Sequence, residues 1–358
     1  MKAFKSNVFA AAVATLLVAC GGGGGTDSNG TIGVTPPVSP PVTPPVTPPV
    51  TPPVTVPVTP VPVASTIQTE VSVATYAAGS EQRNAYDYLN GQRMACGFGL
   101  LQQESRLDTA AQGHANYLSV NHLSSHIQDK SAYPNAFTGA TVNDRFVAAG
   151  YIATTGAEVL TEPFPYSFYQ SYGATYGQSA VMDLFASPYH GNGMLDGERD
   201  VGIGHADISS FWRRVVINIG STTQRPRQQI SGDQVLTYPC AASNSVLSKT
   251  YTDEVPSPIP GRNLVGNPIG HPIYVKVRDG NILVLSNYVL RKTGTAVDIP
   301  MQILNKGNDT NGKILDQSVA ILMPLAPLDK NSKYEFKSEG TNNEKPVSIS
   351  FVFSTLGY

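Results

Sequence analysis

Three of the six histidines lie close together in the sequence, at His114, His122 and His126. Imidazoles bind metal ions and exchange protons near neutral pH, so such a group can indicate a site. His122 and His126 are four residues apart, a spacing that can place two metal ligands on one helical face. Ser124 and Ser125 favour a helix end between them, and this disfavours a shared role for the two histidines.

The residues that flank these histidines predict different surroundings for each of them. Apolar residues recur at helical spacing from Leu107 to Asn121, which predicts a helix with His114 on its buried face. We therefore interpret His114 as a hydrogen-bonded core histidine, whereas His126 lies just past the helix end. His205 follows two glycines in a predicted strand and could face either side. His271 lies in a later loop and is predicted to face solvent.

Motifs that identify an enzyme are missing from the sequence. It contains no Gly-x-Ser-x-Gly elbow, no His-Glu-x-x-His pair and no phosphate-binding glycine loop. Ser124, Ser125 and Ser187 lie beside histidines, but no order of base and orienting acid supports a serine hydrolase. Any chemistry must come from side chains that the fold brings together.

Length and charge limit the class of protein. The 358 residues leave room for two domains, and 41% hydrophobic residues is ordinary for a globular protein. With a net charge of −2, the chain lacks the excess of Lys and Arg that nucleic-acid-binding proteins usually show. We therefore expect no nucleic-acid partner. The oligomeric state cannot be derived from these quantities.

The first 19 residues are predicted to be an export signal. Lys2 and Lys5 supply positive charge, and the apolar run from Val8 to Ala19 is too short to cross a bilayer. The sequence Leu-Val-Ala-Cys, ending at Cys20, resembles a bacterial lipobox. It implies cleavage before Cys20 and lipidation of that residue, with Gly21 typical of outer-membrane lipoproteins. A plain secretory signal or an N-terminal anchor helix is the alternative.

Residues 20–78 are predicted to be a glycine- and proline-rich linker without a core. Thr-Pro-Pro-Val repeats with variations between Thr35 and Val63, and prolines fix φ and remove donors, which favours polyproline II. At about 3.1 Å per residue this stretch reaches roughly 90 Å. It would hold the globular part away from a membrane; a ligand for proline-binding modules is the alternative.

Two further cysteines, Cys96 and Cys240, are left once Cys20 carries lipid. In an oxidising compartment they are expected to form a disulfide. Two unpaired buried cysteines are the alternative.

Eight sequence pieces between residues 79 and 245 occur in a characteristic order. They are LNGQR (89–93), AAQGHANYL (110–118), SSH (124–126), NDR with AAGY (143–151), GAEVL (156–160), SPYH (187–190), VGIGHA (201–206) and WRRVVINIG (212–220). In this order they resemble the bacterial form of the CAP superfamily, also called the SCP-like extracellular domain. The resemblance implies an α+β fold, an α/β/α sandwich around a central, mainly antiparallel sheet.

The resemblance also implies a cleft. Carried onto matching positions, its residues are His126, Glu158 and His190, while the second acid has no clear match and Asp183 is the nearest candidate. Two neutral imidazoles and a carboxylate can form an open Zn²⁺ site. A metal-free cleft in which Glu158 orients a histidine, or a purely structural network, is the alternative.

The chain departs from the family pattern in three places. Val159 stands where the family usually has Asn, and Leu184 where a Trp is common. Residues 164–176 are rich in aromatic residues and look like an insertion that could form a lid or wall of the cleft.

Residues 250–358 show a different pattern, with short alternating strands separated by turn signals. This pattern predicts an all-β sandwich, and the segment resembles bacterial Ig-like domains. Such a module is expected to act as a spacer or an adhesive surface.

Three functions follow as expectations. The favoured one is an exported, membrane-tethered module whose cleft binds a small ligand, namely a lipid, glycan or peptide. This is in keeping with related family members that bind lipids. A metal-assisted hydrolase or peptidase using the same cleft is the second, and a structural or adhesive envelope protein is the third.

Overall fold

A computed structural model describes residues 66–161, 173–208, 213–241, 243–309 and 314–357. These residues belong to one compact unit. The predicted export signal, Cys20 and most of the linker lie outside the described ranges, as does most of the 164–176 segment. Throughout the described ranges, no helix is both long and apolar enough to span a bilayer.

Five helices are described between residues 81 and 194. They are α1 (Glu81–Ala95), α2 (Ser105–Asn121), α3 (Val142–Ala148), α4 (Tyr176–Ala186) and α5 (Pro188–Met194). Local capping explains several ends. Thr141 accepts from the backbone N–H of Asp144 in a capping box, and His122 ends α2 in the left-handed region at φ 57°.

The first sheet contains β1 (Gln102–Gln103), β2 (Thr155–Thr161), β3 (Asp200–Asp207) and β4 (Arg213–Ser221). Its order is β1-β3-β4-β2, and only the β1–β3 pairing among these strands is parallel. The predicted mixture of helices with a mainly antiparallel sheet is confirmed.

Helices cover both faces of this sheet. Val201 and Ile203 point into the main core with residues of α1 and α4. Gly202 and Gly204 face the other way, and a Cβ at either position would overlap the backbone of α2. The two glycines therefore allow α2 to pack directly on β3, which fixes the end of α2 that leads to His126.

Two antiparallel sheets form the C-terminal region. Their strands are β5 (Leu236–Tyr238), β6 (Ile273–Lys276), β7 (Leu283–Lys292), β8 (Met301–Asn305), β9 (Val319–Pro324), β10 (Lys333–Asn342) and β11 (Lys345–Ser354). One sheet has the order β11-β10-β7 and the other β5-β6-β9-β8. The strands predicted from the alternating pattern are present.

The C-terminal region shares its core with the helical region. The main hydrophobic cluster contains Tyr274 and Ile321 from the C-terminal strands together with Phe185 of α4 and Val159 of β2. Burial of apolar surface on both sides of this boundary stabilises the two regions against each other.

Cys96 and Cys240 form the expected disulfide, with their Cα atoms 5.4 Å apart. The prediction that His271 faces solvent is wrong, because its side chain is 2% exposed. The ring packs 5.8 Å from that of Tyr238, and Nδ1 lies 2.7 Å from the carbonyl oxygen of Pro272. His271 comes just before β6, whose residues are all buried.

Candidate functional site

Glu158 lies at the centre of the candidate site. It belongs to β2, opposite Asn218 of β4, and its side chain is fully buried. Arg145 of α3 donates from Nη2 to both carboxylate oxygens at 2.8 Å. With its amide turned to donate, Asn218 Nδ2 lies 3.1 Å from Oε2. These bonds compensate a charge that burial would otherwise make costly.

The surroundings of Glu158 keep it ionised. Burial alone would raise its pKa, but the hydrogen bond from His126 and the nearby His114 and Arg145 outweigh burial and hold the pKa below its usual value. The carboxylate is therefore negative at neutral pH and can orient an imidazole.

His126 is the imidazole that Glu158 orients. Its Nδ1 lies 3.1 Å from Glu158 Oε1, and its side chain is 43% exposed. Arg145 also donates to the backbone carbonyl of His126 at 3.1 Å, so one guanidinium holds both the ring's partner and its backbone. Because an ionised carboxylate can only accept, Nδ1 is the donor in this contact, and Nε2 is the ring nitrogen that it leaves over.

His190 has a carboxylate of its own. Its Nδ1 lies 2.8 Å from Oε1 of Glu254, and its side chain is 22% exposed. The rings of His190 and His126 approach to 5.9 Å between centroids, tilted by 34°. Two half-exposed imidazoles from distant parts of the chain thus meet, each with Nδ1 directed at a different acid.

Of the secondary candidates, His114 lies beside Glu158, with Nε2 3.4 Å from Oε1, and His205 lies in β3. His114 is fully buried, with Nε2 2.9 Å from the carbonyl of Ser125 and Nδ1 2.9 Å from Gln128 Nε2. Burial lowers the pKa of His114 to about 4, so it is neutral and donates through Nε2. His205 packs 5.6 Å from the ring of Tyr176, and burial lowers its pKa.

The assignment of Asp183 as the second acid stays a prediction, and the structure places another acid beside His190. Asp183 was the nearest candidate on α4, where its backbone carbonyl accepts from Ser187 Oγ at 3.1 Å. Glu254 occupies the place beside His190. It lies 64 residues further along the chain, in a stretch without a motif, so no sequence signal pointed to it.

Arg145 was also missed as a functional residue. It belongs to the NDR piece of the resemblance, and its side chain is 0% exposed. No sequence signal distinguished it from an exposed helical arginine, the usual state of this residue type.

The three-ligand metal set expected from sequence does not fit this geometry. Within the described ranges, no three His, Cys, Asp or Glu side chains converge as a metal centre. Glu158 is enclosed, and both its oxygens accept from Arg145. Glu158 contacts the Nδ1 of His126 and does not face a position that an ion could share with both histidines. The Nε2 atoms of His126 and His190 are the two nitrogen donors that the arrangement leaves available.

Comparison with known proteins gives partial likenesses. No family model matches the chain, and no curated protein matches it. An extracellular protein containing an SCP domain from Bacillus anthracis is 16% identical, with a TM-score of 0.31. The match covers 40% of this chain and 40% of that one. An outer surface protein from Borrelia burgdorferi is 14% identical, with a TM-score of 0.31, over 41% of this chain and 93% of that one.

Proposed function

We propose that the chain is an exported, surface-tethered binding module of the CAP/SCP-like class, followed by an Ig-like β-sandwich. The export signal, the lipobox ending at Cys20 and the ordered sequence pieces support the class and the outer-membrane or cell-surface address. Helices on both faces of a mainly antiparallel sheet agree with the α/β/α architecture.

The pairing of His126 with His190 carries the proposal for binding. Each ring is oriented through Nδ1 by a carboxylate, and the rings lie 5.9 Å apart with part of each exposed. Histidines that bind metals commonly donate their other ring N–H to a carboxylate, which fixes the tautomer and raises the basicity of the free nitrogen. The two Nε2 atoms are therefore the candidate ligand-binding atoms of this pair.

A divalent cation such as Zn²⁺ is the simplest ligand for this pair. His126 and His190 would supply two of its ligands and water the remaining positions, with Glu158 and Glu254 outside the ligand set. When bound, it supplies positive charge to attract an anionic lipid, glycan or peptide group.

Contacts of the neighbouring serines favour binding over serine-type hydrolysis. Ser125 Oγ accepts from the backbone N–H of Ile127 at 3.0 Å. Ser187 Oγ donates to the carbonyl of Asp183. Among the described residues, these hydroxyls bond the backbone and pair with no imidazole base, as a nucleophilic serine must.

Zn²⁺ titration of the full chain, measured by isothermal calorimetry, tests the proposal. His126→Ala and His190→Ala should each weaken Zn²⁺ binding at least tenfold. The matched control is His122→Asn, at an exposed histidine whose left-handed backbone suits Asn. It should bind Zn²⁺ as the wild type does.

Wild-type affinity in both histidine variants would overturn the proposal. Anionic phosphatidylglycerol vesicles and a peptide library, offered to the zinc-loaded protein, then test the ligand class. Peptide cleavage by the wild type that is lost in His126→Ala would replace the binding module with the metal-assisted hydrolase.

A further inference from the structure

We propose that Glu254 is the positioning residue of His190, so that the C-terminal region completes the binding site. The inference rests on the proposed function, because it takes His190 as a ligand-binding ring. Glu254 lies outside residues 79–245, the segment that carries the CAP/SCP-like sequence pieces.

The hydrogen bonds described for the side chain of Glu254 lie at the start of α5. Its Oε1 lies 2.8 Å from His190 Nδ1 and accepts from the backbone N–H groups of Tyr189 and His190 at 3.0 and 2.9 Å. Ser187, the residue that caps α5, makes no side-chain cap bond. Glu254 therefore caps this helix from a distant part of the chain while it orients the ring of His190.

The burial of Glu254 increases its need for nearby hydrogen-bond donors. Its side chain is 4% exposed, and Oε2 receives no hydrogen bond from the described residues. A buried carboxylate is costly unless donors compensate it. The Nδ1 of His190 lies 2.8 Å from Oε1, and a carboxylate at that distance favours the tautomer with the proton on Nδ1.

Other residues of the C-terminal region hold the same stretch of chain. Tyr274 donates to the carbonyls of Phe185 and Ser187 at 2.8 and 3.0 Å, and Tyr189 donates to Asp309 at 2.8 Å. The junction between α4 and α5 is thus fixed from the C-terminal side, which places His190 relative to Glu254.

The two rings are positioned independently, which provides an internal control. Glu158, the partner of His126, lies in β2 and is held by Arg145 of α3. A change at Glu254 should therefore alter His190 and leave His126 unchanged.

Glu254→Gln in the full chain is the decisive variant, because the amide oxygen can still accept from the backbone while the negative charge is removed. Long-range ¹H–¹⁵N NMR of the imidazoles should show His190 as the Nδ1–H tautomer in the wild type. In the variant it should shift toward Nε2–H, with His126 unchanged. Zn²⁺ affinity, measured with the metal alone, should fall by about 10- to 100-fold, as is typical for the partner of a ligating histidine.

Asp253→Asn is the matched control, since it removes a charge from the neighbouring exposed residue. It should change neither the tautomer nor Zn²⁺ affinity. A Glu254→Gln variant with the wild-type tautomer and the wild-type Zn²⁺ affinity would overturn the inference. An Nε2–H tautomer of His190 in the wild type would also overturn it, and this measurement does not depend on the folding of any variant.

The two proposals fail in different ways. If His190→Ala binds Zn²⁺ normally, the proposed function fails whatever Glu254 does. If His190→Ala loses binding and Glu254→Gln keeps it, only the positioning role fails.

Discussion

Arg145 Nη2 lies 2.8 Å from each carboxylate oxygen of Glu158, and both side chains are fully buried. The pair joins α3 to β2 beneath the exposed ring of His126. Since the same guanidinium also bonds the carbonyl of His126, the stability of this region and the geometry of the site depend on one side chain.

Arg145→Ala should destabilise the protein by about 3–5 kcal/mol, because it leaves the carboxylate of Glu158 buried without its cation. Urea unfolding at pH 7 measures the change. Arg83→Ala, at an exposed pair four residues apart with Asp87, is the control and should cost less than about 1 kcal/mol. Equal losses in the two variants would contradict the buried-pair interpretation.

Acid should destabilise the protein through two buried histidines. Burial lowers the pKa of His114 and of His271 from 6.5 to about 4. Between these values the unfolded chain binds protons that the folded chain does not, so stability falls as pH decreases from 6.5 to 4. At pH 4.5, each histidine should lower the free energy of unfolding by about 2–3 kcal/mol relative to neutral pH.

The slope of unfolding free energy against pH tests this. His114→Gln and His271→Gln should each flatten it between pH 6.5 and 4.5, whatever their stability at pH 7. A variant with the full wild-type slope would show that its histidine does not titrate in this way.

Two glycines of α5 should respond differently to alanine. At Gly191 a Cβ would overlap the Tyr274 hydroxyl and lie 2.8 Å from the carbonyl oxygen of Phe185. Gly191→Ala should cost about 1–3 kcal/mol and weaken Zn²⁺ binding by displacing His190. At Gly193 the Cβ would meet Val159 at an ordinary 3.5 Å, so Gly193→Ala should be neutral or slightly stabilising. Thermal unfolding compares the stabilities of the two variants, and calorimetry compares their Zn²⁺ affinities. Equal stability and affinity in the two variants would argue against tight packing of Gly191 on Tyr274.

Removal of the Cys96–Cys240 disulfide should cost about 2–5 kcal/mol, since it closes a separation of 144 residues. Urea unfolding of the double variant Cys96→Ala, Cys240→Ala measures the loss. Reductant should destabilise the wild type to a similar extent and leave the double variant unchanged; a wild type insensitive to reductant would contradict a stabilising bridge.

Local structure was largely predictable from sequence, because caps and periodicity act over a few residues. The helix predicted for Leu107–Asn121 is found at Ser105–Asn121. At ten residues, strand β10 is longer than the short strands that the alternating pattern predicts, and it ends at Asn342. Asn343 and Glu344 both have positive φ, a two-residue hairpin turn without the glycine that usually indicates one.

The site was predictable only in part. His126, Glu158 and His190 followed from the resemblance, and the structure brings the two rings together. The position of Glu254 beside His190 and the burial of His271 both depend on packing between the helical and C-terminal regions. Neither produces a periodic pattern or a motif in the sequence. The pairing of Glu158 with Arg145 likewise is a contact between separate elements.

The hydrophobic cluster that joins Tyr274 and Ile321 to Phe185 has an evolutionary consequence. The C-terminal region cannot be exchanged by recombination like an independent module. A replacement would have to reproduce the surface under α4 and α5 as well as an acid at the position of Glu254. We expect lineages of this protein to inherit or lose the two regions together.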